Sequence, residues 1–301
     1  MKNFEGKTAF ITGGAQGIGL AMAKAFLKQG MQVAIADIKA DKIEDAAESL
    51  ESPGRVLPIA LDVSDRDAVE AAAAQTEQAF EKVHIVCNNA GIGPGGPVVT
   101  VEQKAWDRTM NTNLQGCLNG IQVFVPRIQR HGEGGHVVNT ASITGYAQQG
   151  GGVPYGVSKA AIIALTEVLR VELAGDHAPR DRWQNMYNAG DERWGEDGPP
   201  TGLVSASVLC PDAADTEISA FYTNPKDDEK TRERKQQWLD RMDIELIKPD
   251  VVGELVVNAI RNDEPYIFCD GYGSRRLVQR RVDAWLGALD RQFPEYKRSD
   301  R

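Results

Sequence analysis

Short apolar runs alternate with longer stretches of helical period along most of the chain. The short runs predict seven strands: TAFIT near 8, QVAIAD near 32, RVLPIAL near 55, VHIVCN near 83, GHVVNTA near 135, SASVLC near 205 and PYIFC near 265. The stretches of helical period predict helices at 18–29, 40–50, 65–80, 101–130 and 155–173. This alternation predicts an α/β fold, in which a parallel sheet of about seven strands is flanked by helices within one domain over 1–301.

Two polar, turn-rich segments interrupt the alternation: 175–202 and 212–248. Open α/β sheets bind ligands beyond the carboxyl ends of their strands. Because 212–248 leaves the carboxyl end of the sixth strand, we interpret it as a substrate lid. The insertion 175–202 joins a helix to the start of that strand, so we expect it at the opposite edge, as a surface or subunit-contact element.

The segment 272–301 is predicted to be a C-terminal helical extension. Its apolar residues recur at helical spacing, namely Val278, Val282, Trp285, Leu286 and Leu289. We interpret this stripe as a packing or subunit-contact surface rather than as part of a cofactor site.

The charge balance and the N-terminal sequence narrow the classes of partner. The chain has 34 basic and 43 acidic side chains and a net charge of -9, which argues against binding to nucleic acid or to an anionic membrane. No stretch resembles a signal peptide or approaches membrane-spanning length. We therefore expect a cytoplasmic protein with a small-molecule partner.

Four cysteines, Cys87, Cys117, Cys210 and Cys269, lack the spacing of a metal site. We expect buried free thiols in a reducing compartment and no bound metal.

The stretch TGGAQGIG, Thr12 to Gly19, follows the first strand and opens the first helix. Gly13 would allow a tight turn, Gly17 would let the backbone approach a ligand, and Gly19 would permit close helix packing. The helix N-terminus then offers N–H groups to a pyrophosphate. An ordinary strand-to-helix loop is the alternative interpretation.

Asp37 ends the second strand, at the distance where a carboxylate can bind the adenosine ribose. Alternatively, it caps the next helix. The carboxylate would repel the 2′-phosphate of NADP, and only Lys39 offers a counter-charge nearby, while Gln16 in the loop adds none. These features favour NAD.

Further along the chain, local sequence leaves the alternatives open. Asp62 and Val63 follow the third strand and fit either an adenine contact or a helix-capping cluster. NNAG at 88–91 fits a cofactor contact or a turn.

In YGVSK, the i, i+4 spacing places Tyr155 and Lys159 on one helix face. A phenol has a pKa of about 10, and an adjacent ammonium favours its ionised form, as general base catalysis near neutral pH requires.

Taken in order, these motifs resemble the short-chain dehydrogenase/reductase family, over about 5–173 and 204–220. The resemblance implies a Rossmann-type, doubly wound sheet and hydride transfer between NAD(P) and an alcohol or carbonyl. It implies that Tyr155 is the general acid/base, that Lys159 tunes it and holds the nicotinamide ribose, and that Ser142, taken to end the fifth strand, binds the substrate oxygen. Asn113 would support a water relay from a bend in helix 101–130, or would be an ordinary helix-interior or capping residue. The cofactor-binding positions carried over are Gly13, Gln16, Gly17, Ile18, Gly19, Asp37, Ile38, Asp62, Val63, Asn89, Ala90, Gly91, Tyr155, Lys159, Pro211 and Thr216.

The chain departs from the family pattern after the sixth strand, where CPDAADTE retains Pro211 and Thr216 but has Asp212 in place of a glycine. Asp212 is interpreted as a tolerated turn residue or as a contact for a polar or cationic substrate group. The family also implies a homodimer or homotetramer formed through helices 101–130 and 155–173.

Within the family, NGIQVFVPRI at 119–128, SASVLCP at 205–211 and the C-terminal PYIFCDGYGSRRLVQRRVDAWLGAL resemble bacterial NAD-dependent Cα-dehydrogenases of lignin-type aryl ethers. The expected pocket walls carry Ile143, Tyr146, Val153, Ile218 and Phe221, which suit a moderately hydrophobic or aromatic secondary alcohol or its ketone.

Two other functions fit the same fold. One is a non-catalytic NAD-binding sensor, which the presence of Ser142, Tyr155 and Lys159 argues against. The other is an epimerase or dehydratase that retains its NAD, for which a larger C-terminal substrate domain would be expected.

Overall fold

Seven parallel strands form one sheet at the centre of the protein. The structure is a computed structural model that describes residues 1–148, 150–174, 203–216, 228–242, 246–270 and 273–294, with the backbone alone for 238–242. The strands are β1 (Thr8–Thr12), β2 (Gln32–Asp37), β3 (Val56–Ala60), β4 (Ile85–Asn88), β5 (Gly135–Thr140), β6 (Val204–Cys210) and β7 (Tyr266–Phe268). Six strands lie within the predicted runs and β6 begins one residue before its run, so the predicted parallel α/β sheet is confirmed.

Helices cover both faces of the sheet. They are α1 (Gly17–Lys28), α2 (Ala40–Ser49), α3 (Arg66–Phe80), α4 (Gln103–Met110), α5 (Gly116–Arg130), α6 (Ile143–Tyr146), α7 (Val153–Ala174), α8 (Glu229–Met242), α9 (Pro249–Asn262) and α10 (Gly273–Gln292). One buried cluster joins α1, α2 and α9 to the sheet, and a second joins α3, α5 and α7 to the other face. This is the doubly wound arrangement that the sequence predicts.

The strand order locates the ligand-binding edge. The order β3-β2-β1-β4-β5-β6-β7 reverses between β1 and β4, because the chain winds outward to β3 and then returns to the other side of β1. In such sheets the crevice at the reversal, outside the carboxyl ends of the strands, receives the ligand. The glycine loop follows β1 and therefore lies at this crevice.

The structure refines one prediction about local structure and corrects another. Helical backbone runs from Gln103 to Arg130, close to the predicted helix 101–130, and a π-helical turn, Asn111–Gln115, separates α4 from α5 within it. Single π-helical turns of this kind occur inside α-helices, frequently at functional sites. The fifth strand ends at Thr140, and Ser142 is instead the N-cap of α6, a short helix that the sequence pattern did not predict.

The two polar segments are described in part. The insertion 175–202 lies outside the described residues, as do 217–227 and 243–245 of the predicted lid, with Ile218 and Phe221. The described ends of the lid segment meet each other: Asp215 N–H donates to Ile247 O at 3.0 Å, and Ile247 N–H donates to Ala213 O at 2.9 Å. The segment thus leaves and rejoins the fold at one point beside the carboxyl end of β6.

The predicted C-terminal extension is helical over α10. Trp285, Leu286 and Leu289 are each more than half exposed, so the stripe does not pack into the core, and its role as a subunit contact stays a prediction.

The four cysteines are free thiols, as predicted, and Cys87, Cys117 and Cys210 are buried. Among the described helices, none is both long enough and apolar enough to span a bilayer.

Candidate active site

The glycine loop adopts a backbone that requires its glycines. Gly13 and Gly17 have φ values of +64° and +55°, in the left-handed region. A Cβ added to Gly19 would lie 2.1 Å from Gly13 O, so the first turn of α1 packs directly against the loop. Gln16 is the N-cap of α1 and Ile18 lies in its first turn, where helical N–H groups face the crevice.

NNAG forms one unit with this loop. The N–H groups of Asn89 and Ala90 donate to Thr12 Oγ1 at 2.9 and 3.0 Å, and Asn89 Nδ2 donates to Thr12 O at 3.0 Å. Asn89 Oδ1 also accepts from Thr140 Oγ1 at 3.2 Å. The motif therefore holds the ends of β1, β4 and β5 together, and is more than an isolated turn.

The residues after β2 place charge beside the loop. Asp37 accepts a hydrogen bond from Lys39 N–H at 3.2 Å, but Lys39 is the N-cap of α2, so Asp37 is not the helix cap. Ile38 is 66% exposed beside it. Lys42 Nζ donates to Gln16 Oε1 at 3.3 Å, which brings a second lysine to the glycine loop. The sequence does not reveal the contact of Lys42, because the direction of its side chain depends on where α2 begins.

After β3, the structure separates turn formation from helix capping. Asp65 is the N-cap of α3 and accepts from Asp67 N–H and Ala68 N–H, whereas Asp62 accepts from Ser64 N–H at 2.9 Å. Val63 is buried against α5, where a Cβ on Gly116 would lie 2.5 Å from Val63 Cγ2. Asn119 Nδ2 donates to Val63 O at 2.9 Å, so α5 fixes this turn at the edge of the crevice.

Asn113 is buried in the π-helical turn between α4 and α5. Its Oδ1 accepts from Ile92 N–H at 2.8 Å, and its Nδ2 donates to Ile92 O at 2.9 Å and to Ser158 Oγ at 3.0 Å. These contacts join the π turn, the segment after NNAG and α7. The π turn replaces the predicted bend, and Ser158 is a partner that sequence analysis missed.

Ser142 and Pro211 meet after β5 and β6. Ser142 Oγ accepts from Thr144 N–H at 3.2 Å and lies 3.4 Å from Pro211 O. Ile143 N–H donates to Pro211 O at 2.9 Å. The strand-end hydroxyl predicted from the sequence is therefore held by a helix cap and by the chain after β6.

Tyr155 lies in the first turn of α7, and Lys159 lies on the turn above it. Lys159 Nζ is 5.6 Å from the centroid of the Tyr155 ring, as the i, i+4 spacing predicts. The lysine is only 3% exposed and donates to Thr140 O at 2.7 Å. Burial lowers the pKa of Lys159 from 10.5 to about 8, so at pH 7 the charged form still dominates beside the phenol.

Glycines bring two further segments against this pair. A Cβ on Gly93 would lie 3.0 Å from Tyr155 Cδ2, so the segment after NNAG packs on the phenol ring. A Cβ on Gly91 would lie 3.3 Å from Lys159 Nζ and 3.4 Å from Asn113 Oδ1. The backbone at these positions therefore lies close to Tyr155 and Lys159.

The segment after β6 contacts both the glycine loop and the C-terminal helix. A Cβ on Gly17 would lie 3.0 Å from Thr216 Cγ2, which places Thr216 over the loop. Asp212 occupies the position where the family has a glycine. Its φ is not positive, so an aspartate fits this backbone without strain. Its Oδ2 lies 3.2 Å from the position of a Cβ on Gly273, at the N-terminus of α10. Burial and the nearby carboxylate of Asp270 raise the pKa of Asp212.

Two histidines and a glutamate lie together at the opposite edge of the sheet, with one ligand atom from each of His84, His131 and Glu133 within 4.8 Å of the others. Thr8 N–H donates to His84 Nδ1, which leaves the ring proton on Nε2, 3.0 Å from Glu133 Oε2. Lys82 also pairs with Glu133. The group is an ion-pair and hydrogen-bond cluster, and we assign no metal to it.

All the predicted cofactor and catalytic positions follow strands β1 to β6 at their carboxyl ends or lie on α7 and the π turn beside them. The topology therefore brings them to one crevice. Asp212 also follows β6, but its carboxylate faces the N-terminus of α10 and not the glycine loop.

Comparison with known proteins gives consistent matches. The short chain dehydrogenase family matches residues 7–177. The probable oxidoreductase EphD of Mycobacterium tuberculosis is 33% identical over 259 residues, which cover 85% of this chain and 39% of that protein. The C alpha-dehydrogenase of Sphingobium sp. is 37% identical over 172 residues, 56% of each chain. The chain thus spans about two fifths of the length of the mycobacterial relatives it matches.

Among solved structures, a short chain dehydrogenase/reductase from Burkholderia phymatum in complex with NAD superposes with a TM-score of 0.75. It is 28% identical, and the alignment covers 95% of this chain and 97% of that one. The predicted family resemblance, including the likeness to a Cα-dehydrogenase, is confirmed. The chain belongs to the short chain dehydrogenase family.

Proposed function

We propose that the protein is an NAD-dependent oxidoreductase that transfers hydride between a secondary alcohol or its ketone and NAD(H). The observation that carries the proposal is the buried ammonium of Lys159 beside the Tyr155 ring. Both residues lie at the same crevice as the glycine loop. Burying a charge costs free energy unless the charge is paired and hydrogen-bonded, and the described bond of this ammonium is a single one to Thr140 O. General base catalysis by a phenol needs such a charge nearby.

The residues of the crevice fit a dinucleotide. The positive φ values of Gly13 and Gly17 and the start of α1 make a cradle of N–H groups for a pyrophosphate. Asp37 ends β2 where a carboxylate can accept from ribose hydroxyls. Thr216 over Gly17 is placed to contact the cofactor from the opposite side. The Burkholderia relative, solved with NAD, supports the choice of cofactor.

In the proposed reaction, the hydroxyl hydrogen of the alcohol leaves as a proton and the hydrogen on the carbinol carbon leaves as a hydride. NAD⁺, when bound, supplies the hydride acceptor. Tyr155 takes the hydroxyl proton as the hydride leaves the carbinol carbon, and returns it when a ketone is reduced. Lys159 stabilises the ionised phenol, and its three N–H donors allow it to bind Thr140 O and ribose hydroxyls together.

Ser142 and Asn113 would support this step in different ways. The Ser142 hydroxyl would hydrogen-bond the substrate oxygen as charge develops on it. The Asn113 amide is already bonded to Ile92 and Ser158, so a water relay towards Lys159 would have to start from the main chain of the π turn. Asn113 would then act by holding that turn in place.

We propose a moderately hydrophobic or aromatic secondary alcohol as the substrate. Ile143 follows Ser142 directly and Val153 lies two residues before Tyr155, so we expect both to border the substrate. The chain between Ala213 and Ile247 leaves and rejoins the fold beside the carboxyl end of β6 and would be the lid. The likeness to the Sphingobium C alpha-dehydrogenase, together with the resemblance of the sequence to Cα-dehydrogenases of lignin-type aryl ethers, supports an aryl alcohol.

Net NADH formation separates the three candidate functions. Purified protein is mixed with NAD and with a panel that includes 1-phenylethanol, cyclohexanol and a 3β-hydroxysteroid. Net NADH formation with at least one alcohol supports the proposal. Bound but unchanged NAD would support a sensor, and product without net NADH would support an epimerase or dehydratase.

Replacing Asp37 tests the cofactor assignment. We expect Asp37→Ala to lower the ratio of kcat/KM for NAD to that for NADP by about 10²-fold, because a like-charge contact with the 2′-phosphate costs several kcal/mol. Lys39 and Lys42 would remain beside the phosphate. Steady-state kinetics with both cofactors measures the ratio, with the exposed Asp41→Ala on α2 as the matched control. An unchanged ratio in Asp37→Ala would contradict the assignment.

We also propose a homodimer or homotetramer in the cytoplasm. Buried free thiols at Cys87, Cys117 and Cys210 suit a reducing compartment. Exposed apolar residues on α7, Val157 and Val168, suit a subunit contact. Sedimentation equilibrium measures the assembly, and a monomer at micromolar concentration would contradict it.

A further inference from the structure

The C-terminal helix α10 reaches the short helix that follows Ser142. Arg281 Nη1 donates to Tyr146 O at 2.6 Å and lies 3.4 Å from Gly145 O. These carbonyls lie at the end of α6, whose four residues leave the last C=O groups without partners inside the helix. A cationic side chain near a helix C-terminus can donate hydrogen bonds to these carbonyl groups.

Helix α6 connects this cap to the reactive groups. Ser142 is the N-cap of α6, so the catalytic hydroxyl and the Arg281 contacts lie at opposite ends of one helical turn. Gly145 lies against α7, because a Cβ there would be 2.5 Å from Ile163 Cδ1 and 2.9 Å from Lys159 O. A shift of α6 would therefore move Ser142 relative to Tyr155 and Lys159 on α7.

Arg281 is itself held in place. Its guanidinium carbon lies 4.7 Å from the centroid of the Trp285 ring, in the range of a cation–π contact. The N-terminus of α10 is attached to the sheet edge, since Gly273 N–H donates to Asp270 Oδ2 at 2.7 Å and Asp212 Oδ2 lies close by. The carboxylates after β6 and β7 thus fix one end of α10, and α6 contacts its middle.

We propose that Arg281 is a positioning residue for Ser142, acting through α6, so that α10 takes part in organising the active site. Arg281 lies far outside the part of the chain that matches the family, 7–177. The inference rests on the proposed oxidoreductase function. Without Arg281, the Ser142 hydroxyl would lose its alignment with the substrate oxygen, while the NAD crevice between β1 and β4 would be unchanged.

Kinetics of Arg281→Met test this role. We expect kcat for the alcohol that the wild type oxidises fastest to fall about 10-fold, since small misplacements of reactive groups have large effects on rate. The Kd for NAD should stay within about two-fold of the wild-type value, because the cofactor crevice is not in contact with Arg281. Arg281→Lys should recover part of the loss, because an ammonium can still donate to a carbonyl. Arg280→Met, at the exposed neighbouring position, is the matched control and should resemble the wild type.

A double mutant separates positioning from a general structural effect. In a Ser142→Ala background, adding Arg281→Met should lower kcat by less than about two-fold, since its target is already absent. A full 10-fold loss in that background, or a wild-type kcat for Arg281→Met alone, would overturn the inference. If Arg281→Met does not fold, Arg281→Leu, which also lacks a hydrogen-bond donor, replaces it with the same expectations.

Hydrogen exchange supplies a measurement that does not depend on turnover. The amides of residues 143–147 should exchange faster in Arg281→Met than in the wild type, because α6 loses its cap. Unchanged exchange would overturn the inference even if no alcohol is a substrate. Absence of turnover in the wild type would instead contradict the proposed function alone.

Discussion

We expect Tyr155→Phe to lower kcat by about 10³-fold while leaving the Kd for NAD within about two-fold of the wild-type value. The substitution removes one oxygen and keeps the ring that packs against the backbone at Gly93. The reaction therefore loses its proton acceptor, whereas the glycine loop and the end of β2 are untouched. Stopped-flow kinetics gives kcat, and quenching of protein fluorescence by NAD gives Kd.

The matched control is Tyr266→Phe. Tyr266 is 41% exposed on β7, and its hydroxyl donates to Glu167 Oε1 at 2.8 Å, away from the crevice. This variant should have wild-type kinetics. If Tyr155→Phe kept more than about a tenth of the wild-type kcat, Tyr155 would not be the general acid/base.

Lys159→Met should lower activity and raise stability at the same time. Loss of the ammonium removes the group that favours the ionised phenol, so we expect kcat to fall by about 10²-fold. The folded protein, however, holds a nearly completely buried charge whose pKa is about 8 instead of 10.5. This shift of the pKa corresponds to about 3 kcal/mol of stability lost at neutral pH. The hydrogen bond to Thr140 O offsets about 1 kcal/mol of that loss.

The stability difference should depend on pH in a defined direction. Because the folded pKa is depressed below the unfolded value, the unfolded chain binds more protons between about pH 8 and 10.5. Wild-type stability therefore gains from this group as the pH rises through that window. The advantage of Lys159→Met, a few degrees in Tm at pH 7, should be largest below pH 8 and should shrink towards pH 10.5.

Thermal unfolding of wild type, Lys159→Met and the exposed control Lys24→Met from pH 7 to pH 10 measures this difference. Lys24→Met should show no pH-dependent change relative to the wild type. A Lys159→Met variant less stable than the wild type at pH 7 would contradict the free-energy cost assigned to burying the ammonium.

The sheet and the cofactor crevice could be predicted because their signals are local. β-Branched runs mark the strands, and the special backbone at Gly13 and Gly17 requires glycine whatever the surroundings. The spacing of Tyr155 and Lys159 on α7 fixes their relative position through helix geometry alone. For these features, a few neighbouring residues determine the structure.

The remaining features of the site depend on contacts between distant parts of the chain. The side chain of Asn113 in the π turn is bonded to Ile92 and Ser158, which lie 21 and 45 positions away along the chain. Arg281 meets Tyr146 across 135 positions, and in the sequence it is one of several arginines on a polar helix. Asp212 fits a substrate contact in the sequence, but its carboxylate faces the N-terminus of α10.

The most direct test of the account follows the hydride itself. The protein is incubated with NAD and a secondary alcohol carrying deuterium at its carbinol carbon, chosen from the panel as the fastest substrate, and the NADH is analysed by mass spectrometry. The account predicts one deuterium in each NADH formed, one NADH for each ketone, and no such product from Tyr155→Phe in the same time. NADH without the carbinol deuterium, or ketone without NADH, would contradict it.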